Sequence, residues 1–448
     1  MSIAAAQLDH YRNELSAIQP QLPGFGLPWV ETTRQQAFER FAALGFPDPG
    51  DENWKYTRVT PIEKRAFRAM PKSCVGLMPE DLESFFLVPQ PCHRLVFING
   101  QYTPQLSKRI TRPAGTQIGN LANALADHPE HLEPYLAHYA NAGAHGFAAL
   151  NTAFMGDGAF LYIPRNTLLE NPVHLVFIAT TQEEQLFVHP RNLIVAEQGS
   201  EATIIESYAS LGGRGYFTNG LTEVVVGDNA GLSHYKLQQE HVSAFHIATL
   251  QVQQSKDSRF TSHSLSFGGA LVRNDINAVL DAPGVECTLN GLYMGTGRQH
   301  VDYHTRIDHI KPFGTSREYY KGILSGHARG VFSGLTHVHP GAQKTDASQA
   351  NDNLLLSRDA EVDTKPQLEI YADDVKCAHG ATVGQLDEDM IFYLRTRGIE
   401  AHAAQGLLTY GFAQDVIDRM PLAAVRNAAE EVLLAQLPDA NAIRKLVS

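Results

Sequence analysis

The sequence predicts a mainly β chain in which a solenoid of stacked coils lies between helical ends. Polar turns begin at Gly199, Gly227, Ser255 and Ala282, spaced by 28, 28 and 27 residues, and a β-rich run follows each. A near-constant period of roughly 20–50 residues marks coils that bury their inner faces only by stacking on one another. Apolar residues at helical spacing are scarce in the middle of the chain and concentrate at its two ends. An ordinary sandwich with evenly spaced turns is the plainer alternative.

The elements follow in order. Leu8, Tyr11, Leu15 and Ile18 recur at spacings of three and four and predict a first helix. The Pro- and Gly-rich stretch from Pro20 to Pro28 breaks it. Thr32 or Thr33 then suits the cap of a second helix, with Phe38, Phe41 and Leu44 on one side and Gly45 and Pro47 as its stop. Residues 51–57 follow as a structured loop. Short β-rich runs lie at 94–102, 160–163, 173–180, 203–208, 223–226 and 245–252, many bounded by Gly, Asn, Asp or Pro. A helical insertion around 118–142 is the main exception.

After Gly384 helical spacing returns. Met390, Ile391, Leu394 and Arg397 fit one helix, ended by Gly398. Ala404, Leu407, Leu408, Phe412 and Val416 fit a second, and Val425, Ala428, Val432 and Leu433 a third after Pro421. The expected division is a helical region at 1–93, the β core at 94–384 and a helical domain at 385–448. Open solenoid ends need covering, and helical flanks at both ends suit that task.

Composition narrows the class. Of 448 residues, 43% are hydrophobic and 19% charged, which fits a folded chain rather than a disordered one. The net charge of −12 repels phosphate backbones and argues against general nucleic-acid binding. Cys74, Cys92, Cys287 and Cys377 are far apart and form no CxxC pair, so a disulfide-dense secreted domain is excluded. The N-terminus has no basic segment followed by an apolar run, and no stretch approaches the roughly 18 apolar residues of a membrane span. A cytoplasmic location with reduced thiols, and no membrane or nucleic-acid partner, is expected. The absence of GxxxxGKS or GxxxxGKT, of GxGxxG after a strand, of HExxH and of GxSxG weakens an enzyme reading.

Three groups of residues invite chemistry. Cys377 and His379 share a face if their segment is extended, because side chains alternate along a strand. Thiolate and imidazole together suit soft or borderline metals, including iron in sulfide clusters. Two donors do not close a site that usually takes four, so others must come from elsewhere, including another chain. A buried cysteine acting as a small hydrophobe beside a hydrogen-bonded histidine is the plainer reading. The second group is His300, His304, His309, His327, His337 and His339, where metal ligation competes with histidines stacked on successive coils and satisfied by neighbours. Cys287 lies upstream of this group. The third is the acidic set Asp346, Asp352, Asp359, Glu361, Asp363, Glu369, Asp373 and Asp374. It carries no spacing that favours a glycosidase pair over turns and a solvated face.

Several runs resemble the SufB/SufD family of iron–sulfur cluster assembly proteins. They are YYKGIL at 319–324, ARGVFSG at 328–334, VHPGAQKTDASQ at 338–349, NLLLS at 353–357 and EVDTKPQLEIYADDVKCAHGAT at 361–382. Residues 52–57, ENWKYT, are similar to the start region of the family's SufD branch, as is the wording KCAHGAT at 376–382. The cysteine-rich N-terminal motif of the SufB branch is missing. The resemblance implies a right-handed parallel β-helix between helical N- and C-terminal domains. It also implies a non-catalytic scaffold that works in a complex with a SufB-like subunit at the β-helix end and a SufC-like ATPase on the helical 385–448 module. The family's interface histidine falls on His379 and the adjacent cysteine position on Cys377, with a transient iron–sulfur cluster held between subunits. A homodimer of the isolated chain is a further expectation. A SufB-like scaffold carrying clusters on its own cysteines and a carbohydrate-active β-helix enzyme stand as alternatives.

Overall fold

A computed structural model describes residues 3–69, 76–89, 91–140, 143, 145–180, 185–213 and 215–447. Cys74, one of the four cysteines considered above, lies outside them. The chain winds into a solenoid of two facing parallel sheets. The first sheet stacks Ala159–Ile163, Arg191–Ala196, Phe217–Val226, Phe245–Gln254, Leu271–Leu280, His300–His309, Arg329–Val338 and Glu361–Ile370. The second stacks Val173–Thr180, Glu201–Leu211, Gly231–Gln239, Arg259–Ser266, Glu286–Gly295, Thr315–Leu324, Asp346–Leu355 and Lys376–Gly384. The chain alternates between the sheets, so each coil adds one strand to both. This is the mainly β, parallel β-helix core that the sequence predicts, with helical regions before and after it.

The period is real but elastic. Phe217 pairs with Phe245, then in turn Leu271, His300, Arg329 and Glu361, at steps of 28, 26, 29, 29 and 32 residues. The turns that revealed it form a ladder of their own. Asn166, Gly199, Asn229, Asp257, Gly284, Phe313 and Lys344 all take a positive φ, between 54° and 73°. Each donates its N–H to a carbonyl one coil on, at Gln198, Asp228, Lys256, Pro283, Pro312, Gln343 and Asp374 respectively. Gly, Asn and Asp tolerate this left-handed backbone, which explains their recurrence at the corner. Phe313 and Lys344 tolerate it less well, and the same inter-coil hydrogen bond holds them there.

The solenoid interior carries an apolar cluster from Leu95, Phe97 and Leu161 to Tyr303, Tyr320 and Phe332, interrupted in the middle coils by a buried polar network of Glu206, His234, Lys236, Glu240 and His246. Outward-facing residues bury themselves under helices. Ile3–Ile18, Pro28–Leu44 and Gly146–Phe154 cover Phe187, Phe217, Phe245 and Leu271 on the first sheet. The C-terminal helices Glu388–Thr396, Ala401–Ile417, Ala423–Gln436 and Ala440–Val447 cluster against the second, on Tyr235, Leu237, Leu265, Leu292, Met294 and Ile323.

Several expectations need correction. The second helix begins at Pro28, whose missing N–H and fixed φ suit the first helical position. Thr32 and Thr33 lie inside it and donate their hydroxyls to the Pro28 and Trp29 carbonyls, each at 2.8 Å. The helical insertion at 118–142 is mostly not helical. Ile118 sits in the strand Gln117–Asn120, antiparallel to Ala159–Ile163, and only Leu121–Asp127 forms an α-helix. Pro129 ends it, forcing His128 to φ −146° and ψ 56°, and residues 141–142 lie outside the described set. The C-terminal helices do not cover an end of the solenoid. They lie along its flank, and the final strands Glu361–Ile370 and Lys376–Gly384 have no neighbour beyond them among the described residues.

Candidate functional site

The expected pair sits on the last strand of the second sheet. Parallel register carries each inward position from coil to coil. Cys287, Ser316, Ala347 and Cys377 form one column, and Leu289, Glu318, Gln349 and His379 form the next. Cys377 and His379 therefore share a face, as alternation requires, and that face continues the solenoid interior. No coil closes over it. Cys377 is half-buried and His379 exposed at the open mouth.

The lining beneath them is unusual for a core. In the two coils next to the opening, buried Glu318, Gln349, Asn351 and Asn353 stand beside Tyr320 and Phe332. Gln349 donates its amide to Glu318 at 2.6 Å. Tyr293 donates to Asn353, also at 2.6 Å, and Asn353 donates to Asn351 at 2.6 Å. Burial disfavours the Glu318 carboxylate and pushes its pKa up to about 7, although the hydrogen bond from Gln349 pulls the other way. The Oε1 of Gln349 is buried without a hydrogen-bond donor among the described residues. These residues escaped sequence analysis. Their signal was there, as polar residues at 349, 351 and 353, every second place on a strand whose inner face should be apolar.

Cys377 packs against a corner cluster of Val338, Ala342, Ala372 and Val375. Burial there pushes its thiol above the ordinary cysteine value, and the nearby Asp346 adds to this, against a backbone hydrogen bond from Ala347. The thiolate that a metal needs is thus disfavoured while the mouth stays empty of a cation. Among the described residues, Cys377 and His379 belong to no convergent set of three or more His, Cys, Asp or Glu. Two donors leave a metal site open, so further ligands are needed to close one.

Around the opening, Ile370, Tyr371 and Val383 expose apolar surface, as do Met390, Phe392 and Tyr393 on the neighbouring Glu388–Thr396 helix. The exposed strand edges and this apolar rim together have the character of a docking surface.

The other sequence candidates resolve differently. His300 bonds Thr57 at 2.8 Å, and His304 lies 3.1 Å from Asp302. His309 points inward and bonds Ser316 at 2.9 Å. His327 lies 4.0 Å from Asp359 on the surface. His337 and His339 come together on Asp308. Cys287 is buried in the apolar interior, and burial pushes its thiol far up. Cys92 is buried too, so neither offers an accessible cluster ligand. The acidic residues disperse, with Asp346 on Arg317 at 3.0 Å, Asp363 on Arg329 at 2.7 Å and Asp374 on Lys344.

Residues 51–57 anchor the N-terminal region to the coils that precede the mouth. The Arg273 guanidinium lies 3.7 Å from the Trp54 ring centroid and donates to the Asn53 carbonyl at 2.8 Å. The same side chain pairs with Asp302 at 2.9 Å and Asp275 at 2.7 Å, and Thr57 donates to Asp302 at 2.5 Å.

Comparison with known proteins agrees with this geometry. Residues 177–412 match the family described as SUF system FeS cluster assembly, SufBD core domain, and residues 1–175 match the SufBD protein N-terminal region. The chain is 36% identical to an iron–sulfur cluster assembly SufBD family protein of Synechocystis over 88% of both chains. It is 34% identical to the iron–sulfur cluster assembly protein SufD of Escherichia coli, over 86% of this chain and 88% of that one. It is 27% identical to the Bacillus subtilis SufD over 90% and 93%.

Proposed function

Because the chain belongs to the SufBD family of iron–sulfur cluster assembly proteins, we propose that it is a SufD-like, non-catalytic scaffold in a cytoplasmic complex with a SufB-like subunit and a SufC-like ATPase. Its open solenoid end receives the SufB-like partner. His379 offers one ligand, or orients one, for a nascent cluster that the partner's donors complete, with Cys377 beside it. The helical 385–448 module receives the ATPase, and the exposed Met390, Phe392 and Tyr393 suit that contact.

One observation carries this reading. A polar, partly unsatisfied lumen opens beneath His379 at strand edges that no described residue of this chain pairs with. A cluster in transit has to be held weakly enough to leave, and shared, incomplete ligation does that. No helix of the described chain is long and apolar enough to cross a membrane. The same open edge pairs with a second copy when the SufB-like subunit is absent.

The test replaces His379 with Ala in the complex reconstituted with its SufB-like and SufC-like partners. Iron and sulfide content should fall while the complex still assembles. Normal cluster content in an intact complex would overturn the role of His379.

A further inference from the structure

On the outer face of the first sheet, close to its terminal strand, Asp308, His337 and His339 converge. Asp308 and His337 are register partners on adjacent strands, and His339 follows just past the strand end. The three ligating atoms all lie within 4.8 Å of one another. Asp308 Oδ1 is 3.0 Å from His337 Nδ1 and 3.4 Å from His339 Nε2. Donors about 2.0–2.1 Å from a tetrahedral ion lie roughly 3.3 Å apart, so both spacings already fit a bound cation. The two imidazole centroids are 4.1 Å apart at 33°, close enough to aim at one point.

We propose that Asp308, His337 and His339 form a binding site for a divalent transition-metal cation of the zinc and ferrous-iron class. Two imidazoles and one carboxylate are the donor set of that class, and they leave positions open for water or a further ligand. Glu369, the register partner of His337 on the last strand, stands next in the same row and suits a fourth position.

Arg306 now occupies part of the site. Its Nε and Nη2 each donate to Asp308 at 2.7 Å, and Nη2 lies 3.1 Å from His337 Nδ1. A cation therefore displaces this guanidinium, which is partly exposed and free to swing into solvent. The site uses residues separate from His379 and Cys377, so it stands or falls independently of the cluster reading.

The test titrates Co²⁺ alone into the metal-stripped full chain and reads visible absorption. One equivalent should give the bands of four- or five-coordinate cobalt, displaced by Zn²⁺ and unchanged by Mg²⁺ or Ca²⁺. The His337→Ala/His339→Ala variant should lose the bands. His339→Gln alone, at the strand end, gives the same reading if the double variant fails to fold. Arg306→Ala should tighten binding by about fivefold, the most expected from a partly exposed ion pair, which a purely packing role for the histidines would not produce. Absence of cobalt bands in the parent chain overturns the site. So does their persistence in the His337 and His339 variants, or their loss instead in His128→Ala/His131→Ala, which removes the exposed trio of His128, Glu130 and His131.

Discussion

Gln349 and His379 are register partners across the last two strands of the second sheet, so the Gln349 amide lies one strand spacing beneath the imidazole. Glu318 lies one strand further in and accepts from that amide at 2.6 Å. This column makes Glu318 sensitive to pH. Its folded pKa of about 7 lies above the ordinary 4.5, so its contribution to stability is present below 4.5 and is lost as pH rises through 7. Glu318→Gln should therefore be more stable than the parent chain at pH 8.5, by about 1–3 kcal/mol, with the gap closing below pH 4.5. Urea unfolding at several pH values measures this, and a gap independent of pH would contradict it.

Buried histidines act in the opposite direction. His174 accepts or donates only to Ser207, at 2.8 Å, and burial pushes its pKa down to about 3. Burial also takes His189 to about 3 and His263 to about 4. The unfolded chain binds their protons first, so stability present above pH 6.5 is lost as pH falls toward 4 and then 3. His174→Asn should flatten the acid limb of a stability–pH curve by about one proton.

The anchor at Arg273 is predicted to matter more than any surface ion pair. Arg273→Met leaves Asp302 and Asp275 buried without their cation and removes the contact with Trp54. The expected cost is about 3–5 kcal/mol, read by chemical denaturation. Lys365→Met, which breaks the more exposed pair with Glu52 at 2.5 Å, should leave the denaturation midpoint nearly unchanged.

Val383 stands half exposed on the terminal edge. Val383→Asp should leave the melting temperature of the isolated chain within about 2 °C, since a surface change is worth roughly 0.5 kcal/mol. It should abolish co-purification with the SufB-like subunit. Retained co-purification would move the partner elsewhere on the molecule.

The fold was legible where local chemistry repeats. Gly199, Gly227 and Ser255 mark a corner that every coil must turn in the same way, so their spacing exposed the solenoid. The covering of the solenoid was not legible. Whether Tyr235 or Leu292 faces a helix or a partner depends on which flank the C-terminal helices choose, and spacing within a helix does not encode that. Cys377 and His379 could be placed on one face by alternation alone. Gln349, Asn351 and Asn353 were overlooked because a strand with a polar inner face violates the rule used to find strands, and such violations collect at openings built for something else. Asp308 joined His337 and His339 only through a register that links positions 29 residues apart.

The uncovered final coil also has a consequence for synthesis. Each coil needs only the one before it as a template, so folding can follow the emerging chain from its N-terminal side. The surface that presents His379 is the last part of the solenoid to form and depends on all the coils beneath it. A truncated solenoid exposes the edge of an earlier coil, one without His379, so recruitment through that residue doubles as a check that the whole scaffold has been made.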